Sequence, residues 1–269
     1  MLSTFNCGIG MVLALKEVDV EDAIRLLDSL NIYSKVIGKV EPKKTKEESI
    51  EIKVNLMTNF SLAVLISGNG SNLQAMIEAI NGNKISGRIC CVVSNKEDAY
   101  GLERAKEVEI PTEVISNKDF NTREDFDAEM VRVLSIYNPD LIVLAGFMRI
   151  LSPVFVNAFP GKILNIHPSL LPKYPGLNTH ERVLDSSDNI HGITVHFVDE
   201  TLDGGPICAQ SSLEITTNSV KQLEEQIHKL EHELYPKVVG WFGEGLLKLT
   251  DGKVYFENRE LKIGEINEK

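Results

Sequence analysis

At 269 residues the chain has room for one large domain, or for one of about 200 residues with an appendage. Hydrophobic residues make up 43% and charged ones 25%, an ordinary globular balance, and no apolar run nears the roughly 20 residues that span a bilayer, so no membrane partner is expected. Lys and Arg number 28 against 39 Asp and Glu, a net charge of -11 that argues against a nucleic-acid partner but leaves room for an anionic small molecule in a locally basic pocket.

The amino terminus lacks a basic stretch followed by an apolar one, so no secretory leader is expected. Cys7, Cys90, Cys91 and Cys208 show neither CxxC nor zinc spacing, which fits a reduced, cytoplasmic compartment and no metal. Residues 1–58 read as a separate β-α-β-β piece plus linker. Gly8 to Leu15 forms a strand, Asp19 caps a helix through about Leu30, and Val36–Val40 and Ile50–Val54 are short strands. So small a piece buries too little surface to stand alone.

From residue 59 onward, strands alternate with helices. Leu62–Ser67 is a strand that empties into Gly68-Asn-Gly-Ser-Asn72, with a helix beginning near Leu73. Glycines let the backbone approach a ligand, and the free N–H groups of a first helical turn attract an anion such as phosphate, although the spacing is neither G-x-G-x-x-G nor a P-loop and a ligand-free turn stays open. Ile89–Ser94 and Thr112–Ile115 are further strands, with a helix over Ala99–Glu107 between them. A longer helix over Arg123–Tyr137 ends at Asn138-Pro139. Leu141–Ala145 is the most hydrophobic strand, and Ser152 caps a helix with Pro153 in its first position. This alternation predicts a Rossmann-like α/β fold, a mostly parallel sheet with helices on both faces.

Ile163–Ile166 is a buried strand carrying Asn165 and leading into His167, and Pro168, Pro172 and Pro175 then forbid a helix and predict an extended exit. An amide donor and an imidazole on one face at a strand's carboxyl end suit oxyanion stabilisation and proton movement. The residues alone leave open that the pair merely satisfies backbone groups. His180–Leu184 is a short helix, Ile193–Val198 and Pro206–Leu213 are strands, and between them Leu202-Asp-Gly-Gly205 presents Asp203 on a loop. Facing His167, Asp203 would orient the ring and favour its protonated form; otherwise it belongs to a plain Asp-Gly turn. Ser219-x-x-Gln222 is a capping box opening a long helix towards Phe242, and Leu246–Leu249 with Val254–Phe256 makes a hairpin about Asp251-Gly252.

Six segments, in order, carry a resemblance: Leu65–Gln74, Val93–Lys96, Leu144–Ser152, Leu164–Gly176, Val195–Val198 and Leu202–Pro206. Together they resemble the phosphoribosylglycinamide formyltransferases (glycinamide ribonucleotide transformylases) of purine synthesis, from about Ser61 to at least Trp241. The resemblance implies the formyltransferase fold over residues 59–269 and transfer of a formyl group from 10-formyltetrahydrofolate, as co-substrate, to the amine of glycinamide ribonucleotide. It implies Asn165, His167 and Asp203 as catalytic residues. Gly70, Ser71, Asn72 and Glu231 are implied for the ribonucleotide, and Arg123, Met148, Arg149, Ile150, Leu151 and Asn165 for the folate. Asn178 departs from the family's usual His in Gly-Leu-His-Thr-His, which puts substrate contacts there in doubt.

Thr4–Val12 and Val36–Val40 resemble the carboxyl-terminal end of phosphoribosylformylglycinamidine cyclo-ligase (aminoimidazole ribonucleotide synthetase). Such a tail implies the end of a fused polypeptide or its remnant, with no cyclo-ligase activity of its own, and other purine-pathway enzymes as partners. Formyltetrahydrofolate deformylase shares the Asn, His, Asp trio and is the rival reading. Methionyl-tRNA formyltransferase is a more distant one, lacking its extra carboxyl-terminal domain here. A binding module without turnover is the non-enzymatic alternative.

Overall fold

The computed structural model describes residues 15–29, 60–261 and 267–268. The chain divides into two compact units, Met1–Met57 and Thr58–Lys269. In the first, a turn of 3-10 helix at Glu17–Asp19 leads into α1 (Val20–Ser29). The strands expected at 36–40 and 50–54, and nearly all of that at 8–15, lie outside the described residues.

The second unit is built on β1 (Ser61–Ile66), whose six residues are all buried. Leu62, Val64 and Ile66 enter one apolar cluster while Ala63 and Leu65 enter another, because alternate strand residues point to opposite faces. A strand apolar on both faces needs cover on both. α2 (Ser71–Asn81), α3 (Tyr100–Glu107) and α7 (Val220–Gly243) supply one layer, and α4 (Arg123–Tyr137) and α5 (Pro153–Ala158) the other. On α4 the covering residues are Phe126, Met130, Val133 and Leu134. Each such burial contributes about 1.5–3 kcal/mol, against helix-propensity differences of up to about 0.7 kcal/mol per ordinary residue, so packing decides the helix. Its ends are set locally. Thr122 Oγ1 accepts from Asp125 N, and Asn138 closes the helix at φ 43° ahead of Pro139.

The remaining strands are β2 (Arg88–Ser94), β3 (Thr112–Val114), β4 (Leu141–Leu144), β5 (Ile163–His167), β6 (Ile190–Phe197), β7 (Ile207–Glu214), β8 (Leu247–Thr250), β9 (Lys253–Phe256), β10 (Arg259–Glu260) and β11 (Asn267–Glu268), with α6 (Thr179–Leu184) between β5 and β6. Among the described residues the main sheet runs β11-β7-β6-β5-β4-β1-β2-β3. It is parallel except at the β5/β6 and β6/β7 pairs. From β1 the chain runs outward through β2 and β3, then returns to β4 on β1's other side. The order therefore reverses between β1 and β4, and ligands of open α/β sheets bind at that reversal, beyond the strands' carboxyl ends.

Several expectations need correction. The helix after the glycine-rich turn starts at Ser71 rather than near Leu73. Ser152 precedes α5, but its hydroxyl makes no cap bond; its backbone N–H donates to the buried Asp127 instead. Half of the capping box forms: Ser219 Oγ accepts from Gln222 N, while the Gln222 side chain meets Thr217 Oγ1. The hairpin β8–β9 gains a third strand, β10. The exit from β5 is not extended. Thr194 Oγ1 donates to Ser169 O and accepts from Leu171 N, Gln210 Nε2 donates to Leu171 O, and Ser169 Oγ donates to Lys173 O, which fold the segment back. Prolines exclude helix, but buried tertiary hydrogen bonds choose the turn. Among the described residues no helix is long and apolar enough to cross a membrane.

Candidate active site

Asn165 and His167 occupy alternate positions of β5, hence one face, at the carboxyl edge of the sheet. His167 is 5% exposed. Its Nε2 lies 2.9 Å from the Tyr174 carbonyl oxygen, which can only accept, so Nε2 carries a hydrogen. The other ring nitrogen, Nδ1, faces Asp203 Oδ2 at 3.4 Å. The ring thus lies between two hydrogen-bond acceptors. Tyr174, which offers the carbonyl, and Asp203, which offers the carboxylate, both sit at positive φ, 55° and 51°. Such conformations persist in non-glycine residues only where surrounding contacts impose them.

Gly176 N donates to Asp203 Oδ2 at 2.8 Å, joining the turn after β5 to the Asp203 loop. Gly205 anchors that loop from behind: a Cβ there would sit 1.9 Å from the Phe197 carbonyl oxygen, so only glycine permits the approach. The three side chains thus come together although the last lies far along the chain. His196 on β6 joins them, its Nε2 3.2 Å from Asn165 Nδ2 and 4.0 Å from Asp203 Oδ1. In the sequence His196 stands out only as part of the segment Val195–Val198. On an alternating strand a single His carries no signal of its own, and only the β5/β6 register, pairing Asn165 with His196, reveals it.

The glycine-rich turn lies across the sheet reversal. Gly70 takes φ 74° before Ser71, no side chain caps α2, and no acidic residue occupies its first turn. A Cβ on Gly70 would meet Gly101 Cα at 2.7 Å, so the opening of α3 packs directly on the turn. Arg104 braces it, with Nε donating to Asn69 O at 2.9 Å and an η nitrogen to Asn69 Oδ1 at 3.1 Å. Asn72 is buried; its Nδ2 donates to Glu231 Oε2 at 2.9 Å, and its Oδ1 has no partner. Burial is the leading cause pushing the Glu231 carboxyl above the usual carboxylate range, opposed by the Asn72 hydrogen bond. The structure therefore brings Gly70, Ser71, Asn72 and Glu231 into one corner, beside the first N–H groups of α2, which no side chain caps.

Met148, Arg149, Ile150 and Leu151 follow β4. Met148 is 67% and Ile150 55% exposed, two apolar side chains left facing solvent. Leu151 instead turns its side chain into the core. Met148 N donates to Ser67 Oγ at 2.8 Å, which ties this loop to the end of β1 just before Gly68. Asp127 fastens its far end through Ser152 N, and burial raises the Asp127 carboxyl. Arg123 opens α4 one turn before Asp127, with its guanidinium near Glu124. Asn178 precedes α6 at φ 58°, a conformation Asn tolerates better than most residues. Among the described residues no group of three or more His, Cys, Asp or Glu side chains is placed to hold a metal ion.

A family model described as formyl transferase matches residues 60–239. The phosphoribosylglycinamide formyltransferase of Escherichia coli is 47% identical over 202 residues, covering 75% of this chain and 95% of that one. The trifunctional purine biosynthetic protein adenosine-3 of Chironomus tentans is 44% identical, over 93% of this chain but 19% of its own length. Among solved structures, the phosphoribosylglycinamide formyltransferase of Coxiella burnetii aligns with a TM-score of 0.75 at 44% identity, over 78% of this chain and 99% of that one. The chain belongs to the formyl transferase family and, within it, to the phosphoribosylglycinamide formyltransferases.

Proposed function

We propose that the chain transfers the formyl group of 10-formyltetrahydrofolate to the amine of glycinamide ribonucleotide, giving formylglycinamide ribonucleotide and tetrahydrofolate. The observation that carries this reading is the grouping of Asn165, His167 and Asp203, linked through His196, at the carboxyl end of β5. The amine attacks the formyl carbon, and the carbonyl electron pair moves onto oxygen. Asn165 and protonated His167, whose Nδ1–H is held only loosely by Asp203 at 3.4 Å and can be shared, donate hydrogen bonds to that oxyanion, each such donor being worth about 3 kcal/mol. Asp203 holds the His167 ring and takes part, through water, in relaying the amine's proton. The carbon–N10 bond then breaks, N10 gains a proton, and the formyl group remains on the amine.

Gly70, Ser71 and Asn72 hold the ribonucleotide phosphate at the α2 N-terminus, with Glu231 beside them as a further contact. Arg123 and residues 148–151 line the folate side, joined by Asn165 at the reacting centre. The reaction passes a formyl group between two small molecules and needs no nucleic acid or membrane, and its setting is the cytoplasm. Residues 1–58 are the tail of a cyclo-ligase preceding the transferase domain at 59–269. In support, the match to the Chironomus protein takes in 93% of this chain, whereas that to the Escherichia coli enzyme takes in 75%. Other purine-pathway enzymes, or a missing cyclo-ligase portion, are the partners this predicts. Formyl transfer by the purified chain, assayed with and without glycinamide ribonucleotide, is the test. Transfer that requires the ribonucleotide supports the reading, and folate release with water alone overturns it.

A further inference from the structure

His196 stands directly across from Asn165 in the antiparallel β5/β6 pair, so the two side chains share a face of the sheet. The ring is 2% exposed, and its two nitrogens have different partners. Nδ1 lies 2.9 Å from the carbonyl oxygen of Phe197. A carbonyl only accepts, so Nδ1 carries the hydrogen. Nε2 of the neutral ring is then bare and can only accept, and Asn165 Nδ2 lies 3.2 Å from it. That contact decides which way round the Asn165 amide sits. Its NH2 group is turned to His196 and its carbonyl oxygen away. One amide hydrogen is used on the ring, and the second remains available.

Burial is the leading cause that lowers the His196 ring's affinity for a second proton, opposed by the Phe197 carbonyl and the Asp203 carboxylate. A doubly protonated ring would set an N–H against the amide N–H and favour the reversed amide. An acceptor would then face the place where an oxyanion needs a donor. The Phe197 carbonyl that fixes the ring is also the oxygen on which Gly205 packs, so the Asp203 loop and the His196 tautomer are set against one backbone atom.

We infer that His196 is a positioning residue for formyl transfer: its bare Nε2 fixes the Asn165 amide so that an N–H, and not the carbonyl, is offered to the formyl oxygen. The inference rests on the reaction proposed above, and its test separates the two. Kinetics of His196→Gln, His196→Asn and His196→Ala are compared in the wild-type and Asn165→Ala backgrounds. A Gln side chain reaches far enough to put an acceptor oxygen near the Nε2 position, and Asn does not. His196→Ala and His196→Asn are expected to lower kcat roughly tenfold to a hundredfold. KM for either substrate should stay within about threefold, and His196→Gln should recover most of the rate. In the Asn165→Ala background His196→Ala should cost less than about twofold more, since there is no amide left to orient. Equal losses in both backgrounds, or a His196→Gln variant as slow as His196→Ala, would overturn the assignment. Should these variants fail to fold, the 15N spectrum of the unaltered protein decides: a hydrogen on Nδ1 and a bare Nε2 supports the inference, and the opposite tautomer or a charged ring overturns it. An unaltered protein that fails to formylate the ribonucleotide would instead sink the reaction, with the tautomer still read by NMR.

Discussion

Asn72 and Glu231, 159 residues apart in sequence, meet in the interior through a 2.9 Å hydrogen bond from the amide nitrogen to the carboxylate. Burial makes the charged carboxylate costly, so in the folded chain Glu231 keeps its proton to higher pH than in the unfolded one. The preference for folding that this proton confers is complete below the ordinary carboxylate value of 4.5 and is lost as pH rises through the folded value. Glu231→Gln keeps an acceptor and removes the charge. Its melting temperature should rise relative to the unaltered protein at about pH 8 and differ little at about pH 4. Glu231→Ala leaves the Asn72 amide buried without a partner and should cost about 1–3 kcal/mol by urea denaturation.

Replacing Asp203 by Asn keeps the shape of the loop but removes the charge that faces His167 Nδ1. Steady-state kinetics should show kcat reduced by roughly a hundredfold to ten-thousandfold, in the range of lost acid–base catalysis. KM for the ribonucleotide should change by less than about threefold, because the phosphate corner is untouched. Residual turnover equal to that of the unaltered enzyme would remove Asp203 from the chemistry.

The two glycines flanking Asn69 should respond differently to Ala. Nothing lies within 4 Å of a Cβ built on Gly68, whereas one on Gly70 meets Gly101 Cα at 2.7 Å and Gly70 has φ 74°. A left-handed alanine costs about 1–2 kcal/mol before the clash is counted. Gly70→Ala should therefore raise KM for the ribonucleotide about tenfold or more, with Gly68→Ala close to the unaltered value. Matching values for the two variants would contradict the cradle described for the turn.

Tyr235 tests the core beneath the site. Its hydroxyl, fully buried, reaches the carbonyl oxygens of Leu164 at 2.8 Å and Leu144 at 3.1 Å. Tyr235→Phe should lower unfolding stability by about 1–2 kcal/mol in urea, with the transition still cooperative. No loss would mean that those carbonyls find other donors.

Strand ends and the loops behind them are legible in the order of apolar and turn-forming residues. The apolar runs at 62–66 and 141–144, each followed within two residues by a glycine that opens a loop, mark the sheet's carboxyl edge. The trio's members were visible as residue types, but their meeting came through a resemblance, since nothing local ties Asp203 to His167. His196 escaped because strand register is a tertiary property: a one-residue slip of β6 would move the ring to the opposite face. The turn after β5 is hidden from the sequence for a related reason. Its shape is dictated by Thr194 and Gln210 on neighbouring strands, not by its own prolines.

Glu231 and Tyr235 lie four residues apart on α7, and one touches the α2 opening while the other touches the end of β4 and the body of β5. A single rigid rod thus gauges the separation between the two halves of the cleft, at about 1.5 Å per residue. A one-residue insertion or deletion between these positions would swing one anchor by about 100° relative to the other. Chain length in that helical turn is therefore constrained as tightly as the identity of the reacting groups, although neither anchor takes part in bond making.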